Sequence, residues 1–237
     1  MAEIKAGVTA FIEDQPYQEV CEFDPNCGEY VHKLIVKGTL PDAVRKHVYH
    51  AISDLRHALD QAVYASVCVL TGAPPVEDAY FPWARSRKDM LARLRAKKIP
   101  EVLHPVIGLF EPYARGDHGP GGDDIFRLLG KVAGPNKHQV AISAKPSVST
   151  FDLSGSGFTR VPYDPWDSSK NELIIAYVAA PDDRNYEVQI SMYVTFDNID
   201  GAELHVVEGT LQYWAQRVGE VIAVLEAESH MLRAKRA

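Results

Sequence analysis

The stretch Asp42-Ala-Val-Arg-Lys-His-Val-Tyr-His-Ala-Ile-Ser-Asp-Leu-Arg-His-Ala-Leu-Asp-Gln-Ala-Val-Tyr64, continuing to Leu70, decides how the rest of the chain is read. Val44, Val48, Ile52, Leu55, Leu59, Ala62 and Val63 recur at three-and-four spacing, which makes one side of a helix apolar. Pro41 suits the first helical position, where a missing N–H costs nothing. Thr71-Gly72, followed by Pro74 and Pro75, supplies the stop. The pattern predicts a helix over 42–70, roughly eight turns at about 3.6 residues each.

On the opposite side of that helix, His47, His50, Asp54, His57 and Gln61 fall in one narrow polar stripe. A solvated face is the plain explanation. His50, Asp54 and His57 are also the chain's weak candidates for a metal site, although such sites usually draw a ligand from a second element. No metal and no cofactor is expected. Arg56 and Asp60 stand four apart on a flank between the polar and apolar stripes.

The chain has 237 residues, enough to bury the core of one large domain or two small ones. Hydrophobic residues make up 46% and charged residues 24%, an ordinary globular balance. No apolar run approaches the ~20 residues of a membrane span, and the N-terminus lacks the apolar stretch of a signal peptide. Cys21, Cys27 and Cys68 form neither a disulfide framework nor a zinc spacing, which points to a cytoplasmic protein with thiols. A net charge of −7 argues against a surface coated in nucleic-acid-binding charge, while leaving room for a local basic patch.

The segment Arg85–Lys98 supplies that patch. Its basic residues are Arg85, Arg87, Lys88, Arg93, Arg95, Lys97 and Lys98, seven of the chain's 25, against the single acid Asp89. Met90, Leu91 and Leu94 would face inward if it is an amphipathic helix. So concentrated a charge marks either a solvated face or a site for phosphate or another acidic partner.

Before the long helix, Val8, Ala10 and Ile12 alternate as in a strand, and Tyr17–Phe23 and Glu29–Val36 flank the turn Asp24-Pro-Asn-Cys-Gly28. Tyr80-Phe81-Pro82-Trp83 covers a core edge or forms a ligand platform. Arg115–Asp124 is glycine-rich but lacks the Gly-Lys-Ser/Thr of a phosphate-cradling loop. Asp123 or Asp124 caps a helix with Ile125, Phe126, Leu128, Leu129 and Val132 inward, ending at Gly134-Pro135. From Val140 the period becomes two. Val188, Ile190, Met192, Val194 and Phe196 form the inner face of a half-buried strand, with Leu173–Ala179 as its expected hairpin partner. Weaker strands are expected at Val148–Leu153, Phe158–Val161 and Leu204–Val207. A long helix from Thr210 to about Arg233 closes the chain, with Leu211, Trp214, Val218, Val221, Ile222 and Leu225 on one stripe.

The fold class is therefore α+β: a central helical layer on the 42–70 helix, an antiparallel sheet from both chain ends, and a long C-terminal helix. A single domain is expected over 1–237, with N-terminal strands at 5–37, a helical core at 41–134, and a C-terminal sheet and helix at 140–234.

Between Val44 and Ala141 the chain resembles a family of uncharacterised bacterial and phage proteins. Their pattern is Leu-Arg-Ser-Ala-Leu-Asp-His, a Phe-Pro, a Gln-Pro-Tyr and an Asp-Lys-His-Arg. Here the counterparts are Leu55-Arg56-His57-Ala58-Leu59-Asp60-Gln61, Phe81-Pro82, Glu111-Pro112-Tyr113 and Asn136-Lys137-His138-Gln139. A looser similarity is to HEPN helical domains, many of them metal-independent ribonucleases whose helix carries an Arg followed four to six residues later by a His. That resemblance implies proton handling by the His and charge stabilisation by the Arg. This chain has Gln61 where the family's His stands, and Gln cannot serve as general acid or base. Arg45 and His50 satisfy the spacing earlier in the helix.

The functional expectation is a non-catalytic binding protein for an acidic partner, nucleic acid in particular, through 85–98. Its alternatives are a HEPN-like ribonuclease and a structural or self-assembling protein of phage or bacterial origin. Catalytic candidates are Arg45, His50, Arg56, Asp60 and His138. Arg56, Asp60 and His138 are expected to lie together, because partly buried charges require partners.

Overall fold

The fold is described from a computed structural model, which describes residues 1–74, 79–115, 121–132, 143–163, 166–167, 169–183, 185–197 and 205–235. It is α+β, with antiparallel sheets and a long C-terminal helix. The chain gathers into two compact units. A helical unit comprises Met1, Val48–Ile142 and Glu208–Ala237, and a sheet unit comprises Ala2–His47 and Ser143–Val207.

The long helix, α2, spans Asp42–Thr71. Pro41 sits just outside it, its carbonyl accepting the Arg45 N–H at 3.1 Å, so its missing donor is not needed. At the other end Gly72 turns left-handed (φ +72°) and donates to the Cys68 carbonyl at 2.9 Å. The apolar stripe is buried as its spacing predicts: Ile52, Leu59 and Val63 are fully covered.

The helical unit continues with α3 (Arg87–Ala96), a short 3₁₀ turn (Glu101–Leu103), α4 (His104–Gly108), α5 (Asp124–Val132) and most of α6 (Val207–Ala234). Edge-to-face contacts among Phe81, Trp83 and Phe126, with ring centroids 4.9–5.8 Å apart, bring the segment after α2 onto α5. Trp214, fully buried on α6, donates its indole N–H to the Ile125 carbonyl at 2.6 Å. Ile125 itself is 37% exposed, contrary to the inward position expected, because Phe126 and Leu129 define the buried line of α5.

The sheet unit opens with α1 (Ala2–Glu13), where alternation predicts a strand. Ile4 and Phe11 are its buried residues, seven apart, with Gly7 and Val8 half-buried between them. A pattern over Val8, Ala10 and Ile12 is too short to separate the two periods, and the longer one governs. Next come β1 (Tyr17–Asp24) and β2 (Glu29–Val36), paired in full register around the turn. Gly28 there has φ +72° and Asn26 N–H donates to the Asp24 carboxylate at 2.9 Å.

The remaining strands are β3 (Ser143–Ser156), β4 (Trp166–Asp167), β5 (Glu172–Val178) and β6 (Asn185–Asp197). One sheet has the order β1-β2-β5-β4, drawing on both ends of the chain, and β3 pairs with β6 in a second. The expected β5–β6 hairpin is therefore not formed. β5 runs for seven residues, between β2 and β4, whereas β6 finds in β3 a partner of matching length. β3 also runs through Ser154-Gly-Ser156 rather than breaking there, because Gly155 at φ +123° lets the backbone come close; a Cβ on it would lie 2.4 Å from the Asn185 carbonyl. The Phe158–Val161 strand reduces to one bridge, Arg160 with Tyr177. Of the strand expected over Leu204–Val207, Leu204 lies outside the described residues, Val206 forms one bridge with Thr195, and α6 begins at Val207. Leu34, Leu173, Ile175 and Ala176 form the core between the sheets, covered by Val148, Leu153, Val188 and Ile190.

Candidate functional site

The basic segment is organised by its one acid. Ser86 caps α3 by accepting the Asp89 N–H at 3.2 Å, and Asp89 in turn accepts the Arg85 backbone N–H at 3.0 Å. Asp89 also accepts from Arg93 Nε at 3.1 Å. The Arg85 N–H, helped by Arg93, holds the Asp89 carboxyl below its ordinary pKa. Met90 and Leu94 are buried on the inner side, and Leu91 is half-buried.

Arg85, Arg87, Lys88, Arg93, Arg95 and Lys98 are exposed, and Lys97 is half-buried. Among the described residues, Arg85, Arg87, Lys88 and Arg95 form no ion pair, while Arg93 pairs with Asp89. A shallow depression of about 500 Å³ opens on this face, lined by Arg85, Ser86, Lys88, Asp89 and Arg93. Lys97 Nζ stands 5.4 Å from the centre of the Tyr80 ring, and Tyr80 is 47% exposed. Cations and an accessible aromatic thus occupy one surface.

The candidates on α2 are placed separately. Arg45 is ion-paired with Asp42. His50 and His57 are exposed, as is Asp54. His57 Nε2 lies 3.0 Å from the Gln61 amide nitrogen, so Gln61 engages its own helix neighbour. Among the described residues, no three His, Cys, Asp or Glu side chains converge on a point that could hold a metal ion. Arg56 Nε lies 4.0 Å from Asp60 Oδ2, and the other Asp60 oxygen accepts the Phe81 N–H at 2.9 Å, tying α2 to the aromatic segment. Asn136, Lys137, His138 and Gln139 lie outside the described residues, and with them the expected partnership of His138.

One cluster escaped the sequence. Asp123 accepts the Phe126 N–H at 2.8 Å as the α5 cap, and its second oxygen accepts from the Tyr213 hydroxyl. That oxygen also lies 3.4 Å from Arg217 Nε, whose guanidinium stands over Phe110 and Phe126 and bonds Glu220 at 2.8 Å. Burial, reinforced by the Asp123 charge, pushes the Tyr213 pKa up to about 12. The available signal was the spacing Tyr213, Arg217, Glu220, a polar line running beside the α6 apolar stripe. In the neighbouring glycine-rich loop, the N–H groups of Gly122 and Asp123 both go to Glu111, at 2.9 Å and 3.1 Å. Gly121 and Gly122 permit this with φ of +89° and +108°.

The Asp123 cluster thus serves helix ends and side chains of its own unit. The α3 face is different, since its charges point outward. No family model matches this chain, and no curated protein or solved structure matches it.

Proposed function

We propose that this is a non-catalytic binding protein that recognises nucleic acid through the basic face of Arg85–Lys98. The observation carrying this reading is that Arg85, Arg87, Lys88 and Arg95 are exposed, with Arg85 and Lys88 lining a depression, and that Lys97 stands over an exposed Tyr80. Lysines and arginines bind phosphates by displacing condensed counterions, and an exposed ring offers a stacking surface that tolerates any base. Asp89 holds Arg93 in place and leaves the charges of Arg85, Arg87, Lys88 and Arg95 to face solvent. Elsewhere the chain is acidic, which limits indiscriminate adhesion and confines attraction to this patch.

The test is a gel-shift titration with single-stranded RNA over a range of salt, run beside a metal-free cleavage assay. Affinity should fall steeply with salt, with a slope of about 0.7 per phosphate engaged. Neutralising Arg85, Arg87, Lys88 and Arg95 to Gln together should weaken binding at least ~10-fold and flatten the slope. Salt-insensitive binding, or an unchanged quadruple variant, rejects the proposal. Cleavage that disappears in His50→Ala or His138→Ala would establish the ribonuclease alternative instead.

A further inference from the structure

The depression on the α3 face draws its whole lining, Arg85, Ser86, Lys88, Asp89 and Arg93, from the first turns of that helix and the residues just before it. Arg85, Lys88 and Arg93 are positive and Asp89 is negative, so the concavity carries two cations in excess. Its volume of about 500 Å³ lies within the ~300–1,000 Å³ of small-molecule sites, room enough for one nucleotide. Arg87 and Arg95 are exposed on the same segment but take no part in the lining.

The hydrogen bonds within the lining decide what a guest would meet. Asp89 Oδ2 accepts the Arg85 backbone N–H at 3.0 Å and Oδ1 accepts from Arg93 Nε at 3.1 Å, so both carboxylate oxygens are committed within the segment. Arg93 is thereby fixed through Nε, and its two terminal nitrogens keep their hydrogens for another acceptor. Ser86 Oγ accepts the Asp89 N–H at 3.2 Å and retains its own hydrogen to donate. The Arg85 guanidinium and the Lys88 ammonium can only donate. The groups turned toward a guest are therefore donors, and the guest they fit is an anion rich in acceptors.

Charge then selects among phosphates. An internal phosphodiester carries a single negative charge on two unbridged oxygens. A terminal phosphate monoester carries about −1.5 to −2 at pH 7 on three strong acceptor oxygens. Two excess cations in one concavity match the monoester, and an arginine fork can take two of its oxygens at once. A chain of diesters calls instead for cations spaced along a line. Arg87 and Arg95 are placed that way, eight positions apart on α3 and so roughly 12 Å along its axis. The segment thus divides into a concave end and a linear track.

We propose that this depression seats the terminal phosphate monoester of a single-stranded nucleic acid, held by Arg85, Ser86, Lys88 and Arg93. The assignment of the strand rests on the nucleic-acid reading above, whereas the monoester chemistry stands on the lining alone. The full chain is bound to an internally labelled RNA and competed with unlabelled RNAs of one sequence bearing a 5′-phosphate, a 3′-phosphate or hydroxyls at both ends. One phosphorylated form should compete about tenfold better than the hydroxyl-ended RNA, and which one it is identifies the end that is seated. That preference should shrink between pH 7 and 5, as the monoester regains a proton near pH ~6. Arg85→Gln with Lys88→Gln should bring the ratio close to one, while Arg95→Gln should weaken all three RNAs alike. Equal competition by the three RNAs overturns the proposal, as does a preference that survives in the Arg85/Lys88 variant. Methyl phosphate and dimethyl phosphate, titrated at constant ionic strength and followed by amide shifts of Ser86–Asp89, separate the two readings. If no RNA binds but methyl phosphate saturates those shifts and dimethyl phosphate does not, the nucleic-acid reading fails and the monoester site stands. If neither ester saturates them and no RNA binds, both readings fail.

Discussion

Asp123 and Lys33 are the partly buried charges around which the two units arrange polar groups, and they are built in opposite senses. In the helical unit the hub is an acceptor, its side chain 18% exposed, receiving a helix-cap N–H, a tyrosine hydroxyl and an arginine. In the sheet unit the hub is a donor, its side chain 10% exposed, shared by carboxylates from the flanking strands β1 and β5. The difference follows from the backbone. A helix start leaves N–H groups without partners, so a carboxylate there satisfies main chain and side chains together. An interior strand has its backbone bonds complete, so charge is balanced between side chains of neighbouring strands.

That contrast predicts unequal costs when each hub is removed. Asp123→Ala strands a backbone donor and a hydroxyl and leaves Arg217 with Glu220 alone. It should lower stability by about 3 kcal/mol in urea denaturation, with Asp123→Asn recovering part because the amide oxygen still caps α5. A loss below that of Lys33→Met would break the comparison.

The second effect is an alkaline pH dependence at the helical hub. Tyr213 titrates at about 12 in the fold against an ordinary value of 10.0. The unfolded chain therefore releases this proton first as pH rises. The stabilisation is complete below pH ~10 and is lost between about 10 and 12, on the order of 2 kcal/mol in all. Tyr213→Phe should be less stable at pH 8 and show a flatter decline above pH 10. Parallel curves for the two proteins would remove Tyr213 from the hub.

The smallest effect belongs to Lys33. Burial works to lower its pKa, and the bonds to Glu22 and Glu172 more than offset this, holding it above the ordinary lysine value. Glu22 is 56% exposed and can be rehydrated once its partner is gone. Lys33→Met, close in volume, should therefore cost only about 1 kcal/mol by thermal or urea unfolding. A loss near 4 kcal/mol would show that Glu172, 19% exposed, remains trapped without solvent.

Much of the fold was legible because it is written in local periods. Ile52, Leu59 and Val63 announce α2, Leu211, Trp214 and Val218 announce α6, and Asp24-Pro-Asn-Cys-Gly28 announces the β1–β2 turn. The basic face of α3 was legible for the same reason, since solvent-facing charge needs no distant partner. Local physics also misled, at Val8–Ile12, where five residues fit either period until Ile4 and Phe11 are included.

Sequence alone determined which segments carry apolar stripes, where α2 stops, that Asp123 or Asp124 caps α5, and that positive charge is gathered at 85–98. Tertiary structure decided which strands pair, setting β5 beside β2 and β6 beside β3. It also brought Tyr213 and Arg217 to Asp123 across 90 residues. The reason is physical: a period of two or 3.6 states which face of an element is apolar, but not which other face will cover it. That choice depends on matched strand length, bulges and the close approach that Gly155 permits, and these act only once distant segments meet.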